Sequence, residues 1–173
     1  MILRTLVVGL LLISAVVLQT ALFPSITLLG FRPDLLLLVV LAVGLHDGQL
    51  PGLRVGFTAG LMSDLLVAQA PVGLAILVYT GIGYTVGLAR PYLAPESITA
   101  PVILAFLSGA IGTAGYGVMS LLLGDESVTT LFLLQASLTV ALYNTLLAPI
   151  AFGVVGRLVE RFPRRGHAVA DGA

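Results

Sequence analysis

Residues 52–64, GLRVGFTAGLMSD, combine an apolar composition with a single carboxylate at regular spacing. Gly52, Gly56, Gly60 and Asp64 follow one another at intervals of four residues. Residues four apart lie on one face of an α-helix, so the spacing predicts a stripe of three glycines that ends in an aspartate. Small residues in such a stripe let the backbone of a second membrane helix approach closely.

The aspartate in this stripe needs a partner. A carboxylate near the middle of a bilayer costs about 2.5–3.5 kcal/mol on insertion scales, so Asp64 should face protein rather than lipid. Three roles are open: a hydrogen-bonded carboxyl that pins two helices together, a contact with a partner protein, and a proton or ion site. We favour helix pinning, because no second carboxylate, lysine or histidine is securely placed at the same depth.

The composition of the whole chain is typical of a protein embedded in a lipid bilayer. Of 173 residues, 58% are hydrophobic and only 9% are charged, and the mean hydropathy is +1.13. An ordinary soluble domain is about 25% charged. A chain of this composition cannot cover a globule of its size with polar surface, so we predict an all-α membrane protein.

Several classes of function are excluded by the residues that the chain lacks. It has no cysteine, and its two histidines, His46 and His167, are far apart and have no ligand-spaced companion, so no metal site is predicted. A net charge of zero gives no reason to expect a nucleic-acid partner. No Ser/His/Asp arrangement, phosphate-binding loop or paired carboxylates stand out, so we predict neither an enzyme nor a cofactor.

Hydropathy predicts a compact bundle of six transmembrane helices in one domain, residues 1–156, followed by a short basic cytoplasmic tail, residues 157–173. A span needs roughly 20 mostly apolar residues. The predicted spans are roughly 3–22, 34–50, 53–69, 72–90, 100–123 and 131–155. The apolar stretch 34–45 is short, at roughly 18 Å if helical. Region 34–70 could therefore be tilted, partly buried or re-entrant.

The arginines predict the orientation of the bundle. With six spans and a cytoplasmic N-terminus, seven of the eight basic residues lie inside and only Arg32 lies outside. A re-entrant hairpin over 34–70 gives a weaker six-to-two division. The first apolar run is longer than a signal-peptide core, so we interpret it as a retained helix. We expect a multi-pass membrane protein with both termini cytoplasmic.

Two further polar residues interrupt or begin the apolar runs. Asn144 lies inside the last predicted span, in LYNTLLAP. Asp34 follows Pro33 and precedes LLLLVVLAV, which predicts an N-cap that meets the first free N–H groups of a helix. Together with the glycine–aspartate stripe, these residues are candidates for helix packing or a partner interface.

Five blocks of the sequence carry a family resemblance. They are LQTALFP (18–24), GFRPDLLLLVVLAVGLHDG (30–48), GLRVGFTAGLMSDLL (52–66), GLAILVYTGIGYTVG (73–87) and LYNTLLAP (142–149). In order and spacing they resemble the bacterial rod shape-determining protein MreD family. The acidic positions of the family's PDLLL and GLxxDLL blocks correspond to Asp34 and Asp64, and its late polar position corresponds to Asn144.

The resemblance implies a non-catalytic scaffold in the bacterial inner membrane. It would be part of the cell-elongation complex, the elongasome, which inserts lateral peptidoglycan and sets cell shape. It implies binding to MreC, a single-pass protein, and action alongside MreB, RodA and a class B penicillin-binding transpeptidase, in contact with membrane lipid. The family is also similar in topology to the substrate-binding subunits of energy-coupling-factor transporters. The alternative function is therefore a vitamin-like small-molecule-binding subunit. A lipid-binding bundle is a third option.

Overall fold

The computed structural model of the chain describes residues 2–21, 30–66, 73–93, 99–124 and 129–161. Within these ranges there are six α-helices, a short 3-10 helix after the fourth of them, and no β-strand, which confirms the predicted all-α class. The helices are α1 (Ile2–Ala21), α2 (Leu35–Asp47), α3 (Gln49–Leu66), α4 (Leu74–Ala89), α5 (Thr99–Leu122) and α6 (Thr130–Glu160). The 3-10 helix is Arg90–Tyr92.

Helix α2 is the centre of the bundle. It contacts each of the other five α-helices, and its residues 36–44 are buried without interruption. A helix that is apolar on every side is stable only where protein or lipid surrounds it, and here protein does. The stretch that is short for a full crossing is therefore an internal helix, enclosed by its longer neighbours.

A glycine separates the central helix from the next one. Gly48 has a φ of +89°, in the left-handed region that favours glycine, and its N–H donates to the Gly44 carbonyl at 2.9 Å. Helix α3 then begins at Gln49 and carries Pro51 in its first turn, where a missing N–H costs little. The chain thus reverses within one residue, and α2 and α3 pack side by side.

Three helices are long and apolar enough to cross a membrane by length and composition: Leu3–Ala21, Thr99–Leu122 and Thr130–Glu160. They are also largely exposed to the surroundings of the bundle, as expected for surfaces that face lipid. That α2, α3 and α4 each cross the bilayer as well stays a prediction, as do the exact limits of the six spans.

One end of the bundle collects basic side chains. Arg4 of α1 forms an ion pair with Asp47 at the end of α2, and Arg54 lines the same cleft. Arg90 lines a neighbouring cleft with Gly48.

The C-terminal end of α6 adds two more basic residues, Arg157 and Arg161, to the same end of the bundle. A Cβ on Gly156 would touch His46 of α2 there. Arg32 lies at the opposite end of α2. Residues 162–173, with Arg164, Arg165 and His167, are outside the described residues.

Candidate functional site

The α3–α4 seam, defined by Gly52, Gly56 and Gly60 on one helix and Gly83 and Gly87 on the other, brings two backbones into direct contact. Along α3, Gly52 faces the backbone carbonyl of Gly83. Gly56 faces the backbone carbonyl of Tyr79, and Gly60 faces that of Ala75. A Cβ added to Gly60 would lie 2.6 Å from the Ala75 carbonyl oxygen. Because the opposing atoms belong to the backbone, no rotamer change could make room.

The seam is built from both helices, which run antiparallel. Gly83 faces the carbonyl of Gly52, and a Cβ on Gly87 would lie 2.5 Å from the Gln49 nitrogen. A Cβ on Gly83 would also lie 2.9 Å from Val40 Cγ1, so the central helix packs into the same groove. Close approach of this kind is how helices associate where lipid is as apolar as the protein.

Asp64 ends the seam as the cap of α4. Its side chain is buried, and its carboxylate accepts hydrogen bonds from the backbone N–H groups of Gly73 at 2.8 Å, Ala75 at 3.1 Å and Ile76 at 3.2 Å. The first N–H groups of a helix have no partner within it, and they form the positive end of its dipole. Gly73 is the N-cap of α4 and has no side chain with which to cap it. Asp64 therefore supplies from α3 the acceptor that α4 lacks.

A second polar group, the α2 N-terminal cluster, consists of Asp34, Gln19, Tyr79 and Asn144. Asp34 is the N-cap of α2, and its Oδ1 accepts a hydrogen bond from the Leu37 N–H at 3.0 Å. Its other carboxylate oxygen accepts the hydroxyl of Tyr79 from α4. One aspartate thus caps its own helix and ties it to a neighbouring one.

Two further donors at this helix end are met by side-chain amides. The Asp34 N–H donates to Asn144 Oδ1 of α6 at 2.9 Å, and the Leu35 N–H donates to Gln19 Oε1 of α1 at 3.2 Å. Asn144 is completely buried. Four helices meet at this terminus. Helices α1 and α6 supply acceptors for its N–H groups, and α4 binds its capping carboxylate through the Tyr79 hydroxyl.

Tyr79 links the two groups. Its backbone carbonyl faces Gly56 in the α3–α4 seam, its phenol donates to Asp34, and the Ser63 side chain hydrogen-bonds the same phenol. Ser63 directly precedes Asp64 in α3. The residue that ends the seam and a residue that contacts the cluster therefore lie in the same turn of α3.

The structure thus brings Asp34 and Asn144 together and places the glycine stripe and Asp64 against α4. The sequence analysis assigned no role to Gln19 or Tyr79. A glutamine or tyrosine inside an apolar run is the signal that could have singled them out, because a buried polar group requires a partner.

The arrangement holds helices together through fixed hydrogen bonds. Both carboxylates accept hydrogen bonds from backbone N–H groups at helix N-termini. Within the described ranges, no three histidine, aspartate or glutamate side chains come together as a metal site would require. We interpret both groups as helix clamps; a direct contact with a partner protein stays a prediction.

Comparison with protein families identifies one match. The family model described as rod shape-determining protein MreD matches residues 1–157, which confirms the resemblance seen in the five sequence blocks. Comparisons with curated proteins and with solved structures gave no match. The expected similarity in topology to energy-coupling-factor transporter subunits therefore stays a prediction.

Proposed function

The chain belongs to the family of the rod shape-determining protein MreD, and from this membership we propose that it is a non-catalytic membrane scaffold of the cell-elongation complex. The family acts in rod shape determination and is not a known enzyme family. The proposed scaffold binds MreC and helps to organise lateral peptidoglycan synthesis, with MreB, RodA and a class B penicillin-binding transpeptidase as further partners.

The observation that carries the proposal is the set of hydrogen-bond partners of the buried polar side chains. Asp34, Asp64 and Tyr79 bind groups on helix termini or neighbouring helices. This use supports a rigid framework, because a substrate pocket would instead need convergent polar groups that are left available to a ligand. What such a framework offers a partner is its outer surface.

That outer surface is apolar along the helices. On α1 the exposed large side chains recur at alternating intervals of three and four residues: Leu3, Leu6, Leu10, Ile13 and Val17. Helix α6 exposes another row, which includes Leu138, Leu142 and Leu146. Faces of this kind fit a single transmembrane helix that packs from the side.

The test is capture of co-expressed MreC by the tagged chain in detergent. We expect capture of intact MreC and loss of capture when the MreC transmembrane helix is replaced by an unrelated one of equal length. Capture that survives the replacement would contradict contact within the membrane. No capture of intact MreC by a folded chain would overturn the scaffold proposal and call for a screen of vitamin-like ligands.

Paired surface variants would locate the contact. Leu10→Ala with Ile13→Ala alters α1, and Leu142→Ala with Leu146→Ala makes a matched change on α6. All four side chains are exposed, so neither pair should lower the unfolding temperature by much. The pair that reduces capture identifies the helix that faces MreC; if neither does, both faces are excluded.

The arginine-rich end supports a cytoplasmic placement of both chain ends in the inner membrane. Basic residues are enriched in the short cytoplasmic segments of membrane proteins. The chain has no cysteine, so single-cysteine variants can be labelled without background. A cysteine at Arg90 should react with a membrane-impermeant maleimide only after the cells are opened; reaction in intact spheroplasts would reverse the orientation.

A further inference from the structure

A cleft of about 200 Å³ lies between α1, α2 and α3 at the arginine-rich end of the bundle. Its apolar wall is formed by one valine from each helix, namely Val8, Val43 and Val55, and its charged groups are Arg4, Asp47 and Arg54. A recess with an apolar wall and a charged mouth matches a ligand that is itself amphipathic.

The charges in the cleft do not cancel. Asp47 forms an ion pair with Arg4, and these two side chains are only 5% and 13% exposed. Arg54 is exposed and makes no ion pair with any residue that the structure describes. Among the residues that the structure describes, Arg54 is therefore the charged group of the cleft without a counter-ion, and it lies at the accessible side.

Arg54 lies beside exposed apolar side chains. Its neighbours on the same face of α3, Leu50 and Phe57, are 58% and 50% exposed. Arg54 is five residues past the start of the helix, roughly 7–8 Å inside its end. A cation at that depth in a bilayer is costly unless its long side chain extends to the polar membrane surface, where the lipid headgroups lie.

We propose that this cleft binds the headgroup of an anionic phospholipid. The guanidinium of Arg54 binds the lipid phosphate, since its planar fork of N–H donors matches phosphate oxygens. The acyl chains extend along the valine wall, and this apolar contact favours a lipid over free phosphate. The Arg4–Asp47 pair holds α1 against α2 and so maintains the recess.

The chain contains no tryptophan, so a single introduced one reports on its own surroundings. Leu50→Trp places the fluorophore one turn from Arg54, on an exposed position. In phosphatidylcholine vesicles, brominated phosphatidylglycerol should quench this tryptophan with several-fold higher apparent affinity than brominated phosphatidylcholine. When Arg54→Gln is added to Leu50→Trp, the ratio of the apparent affinities for the two brominated lipids should come close to one.

Three controls make the result specific. Arg157→Gln removes an exposed arginine from the same end of the bundle but outside the cleft, and the preference should persist. Leu66→Trp, at the other end of α3, should show no preference. Phe57→Trp is a second reporter beside Arg54 and should reproduce the result of Leu50→Trp.

Equal quenching by the two lipids at both reporters would overturn the proposal, as would a preference that survives Arg54→Gln. A preference that millimolar inorganic phosphate abolishes would assign the site to free phosphate and reject the lipid. The measurement uses the chain without MreC, so its outcome is independent of the scaffold function.

Discussion

The α3–α4 seam and the α5–α6 pair are both antiparallel contacts between neighbouring helices, but they close in different ways. In the seam, glycines face backbone atoms, as Gly60 faces Ala75. In the α5–α6 pair, a Cβ on Gly117 would meet only the tip of the Leu133 side chain, and one on Gly109 would lie 3.0 Å from the Ala141 Cα. A flexible side chain can move aside, whereas a helix backbone cannot.

Glycine spacing alone therefore does not measure how tightly two helices pack. Both pairs carry small residues at intervals of four, yet only in the seam do glycines of both helices face backbone atoms at less than 3.0 Å, and only the seam ends in a buried carboxylate. We therefore expect the seam to tolerate very little change and the α5–α6 pair to tolerate more.

The largest expected effect comes from Asp64→Ala. The change leaves three N–H groups of α4 without an acceptor, and a buried unsatisfied group costs about 1–3 kcal/mol. We expect the midpoint of thermal unfolding in detergent to fall by many degrees. Asp64→Asn keeps one acceptor oxygen, so it should lower the midpoint of thermal unfolding by less. An unchanged midpoint for Asp64→Ala would show that water or the rearranged chain caps α4.

A direct test of the comparison sets Gly60→Ala against Gly117→Ala. The first adds a methyl group against the backbone of α4 and should cost about 1–3 kcal/mol, as overpacking does in tight cores. The second should cost much less, because Leu133 can change rotamer. Unfolding midpoints of the two variants would decide the matter, and equal losses would break the distinction between the two helix pairs.

Tyr79→Phe separates the polar network from the backbone contact. The variant keeps the position in the seam but removes the hydroxyl that donates to Asp34, so we expect a loss of about 1–3 kcal/mol for a hydrogen bond to a polar or charged acceptor. Tyr84→Phe is the matched control, since Tyr84 is a neighbour in α4 and is exposed. Similar unfolding midpoints for the two variants would mean that the network adds nothing to the seam.

The smallest expected effect is that of Gly81→Ala, two residues from Gly83 in the same helix. A Cβ on Gly81 meets nothing within 4 Å, so alanine should be neutral or stabilise by up to about 1 kcal/mol through helix propensity. Gly83→Ala should destabilise the protein in the same unfolding assay. If Gly81→Ala were the more damaging change, the assignment of the seam to one face of α4 would be wrong.

Much of the fold was predictable because it depends on composition and local periodicity. An apolar chain of this length has to be a helical membrane protein, and a carboxylate in a glycine stripe has to turn toward protein. The N-terminal position of Asp34 also indicated a cap, since capping involves only residues three apart. These features need no knowledge of which helix lies beside which.

The sequence does not indicate which helices lie beside one another; this information comes from the tertiary structure. The central position of α2 became evident once its apolar sides were seen to be covered by five other helices. The partners of Asp64 are backbone N–H groups, which every residue type except proline carries and no sequence pattern distinguishes. The meeting of Gln19, Asn144 and Asp34 joins residues up to 125 positions apart. The sequence indicates which polar groups need partners, and the packing of the helices selects the partners that they bind.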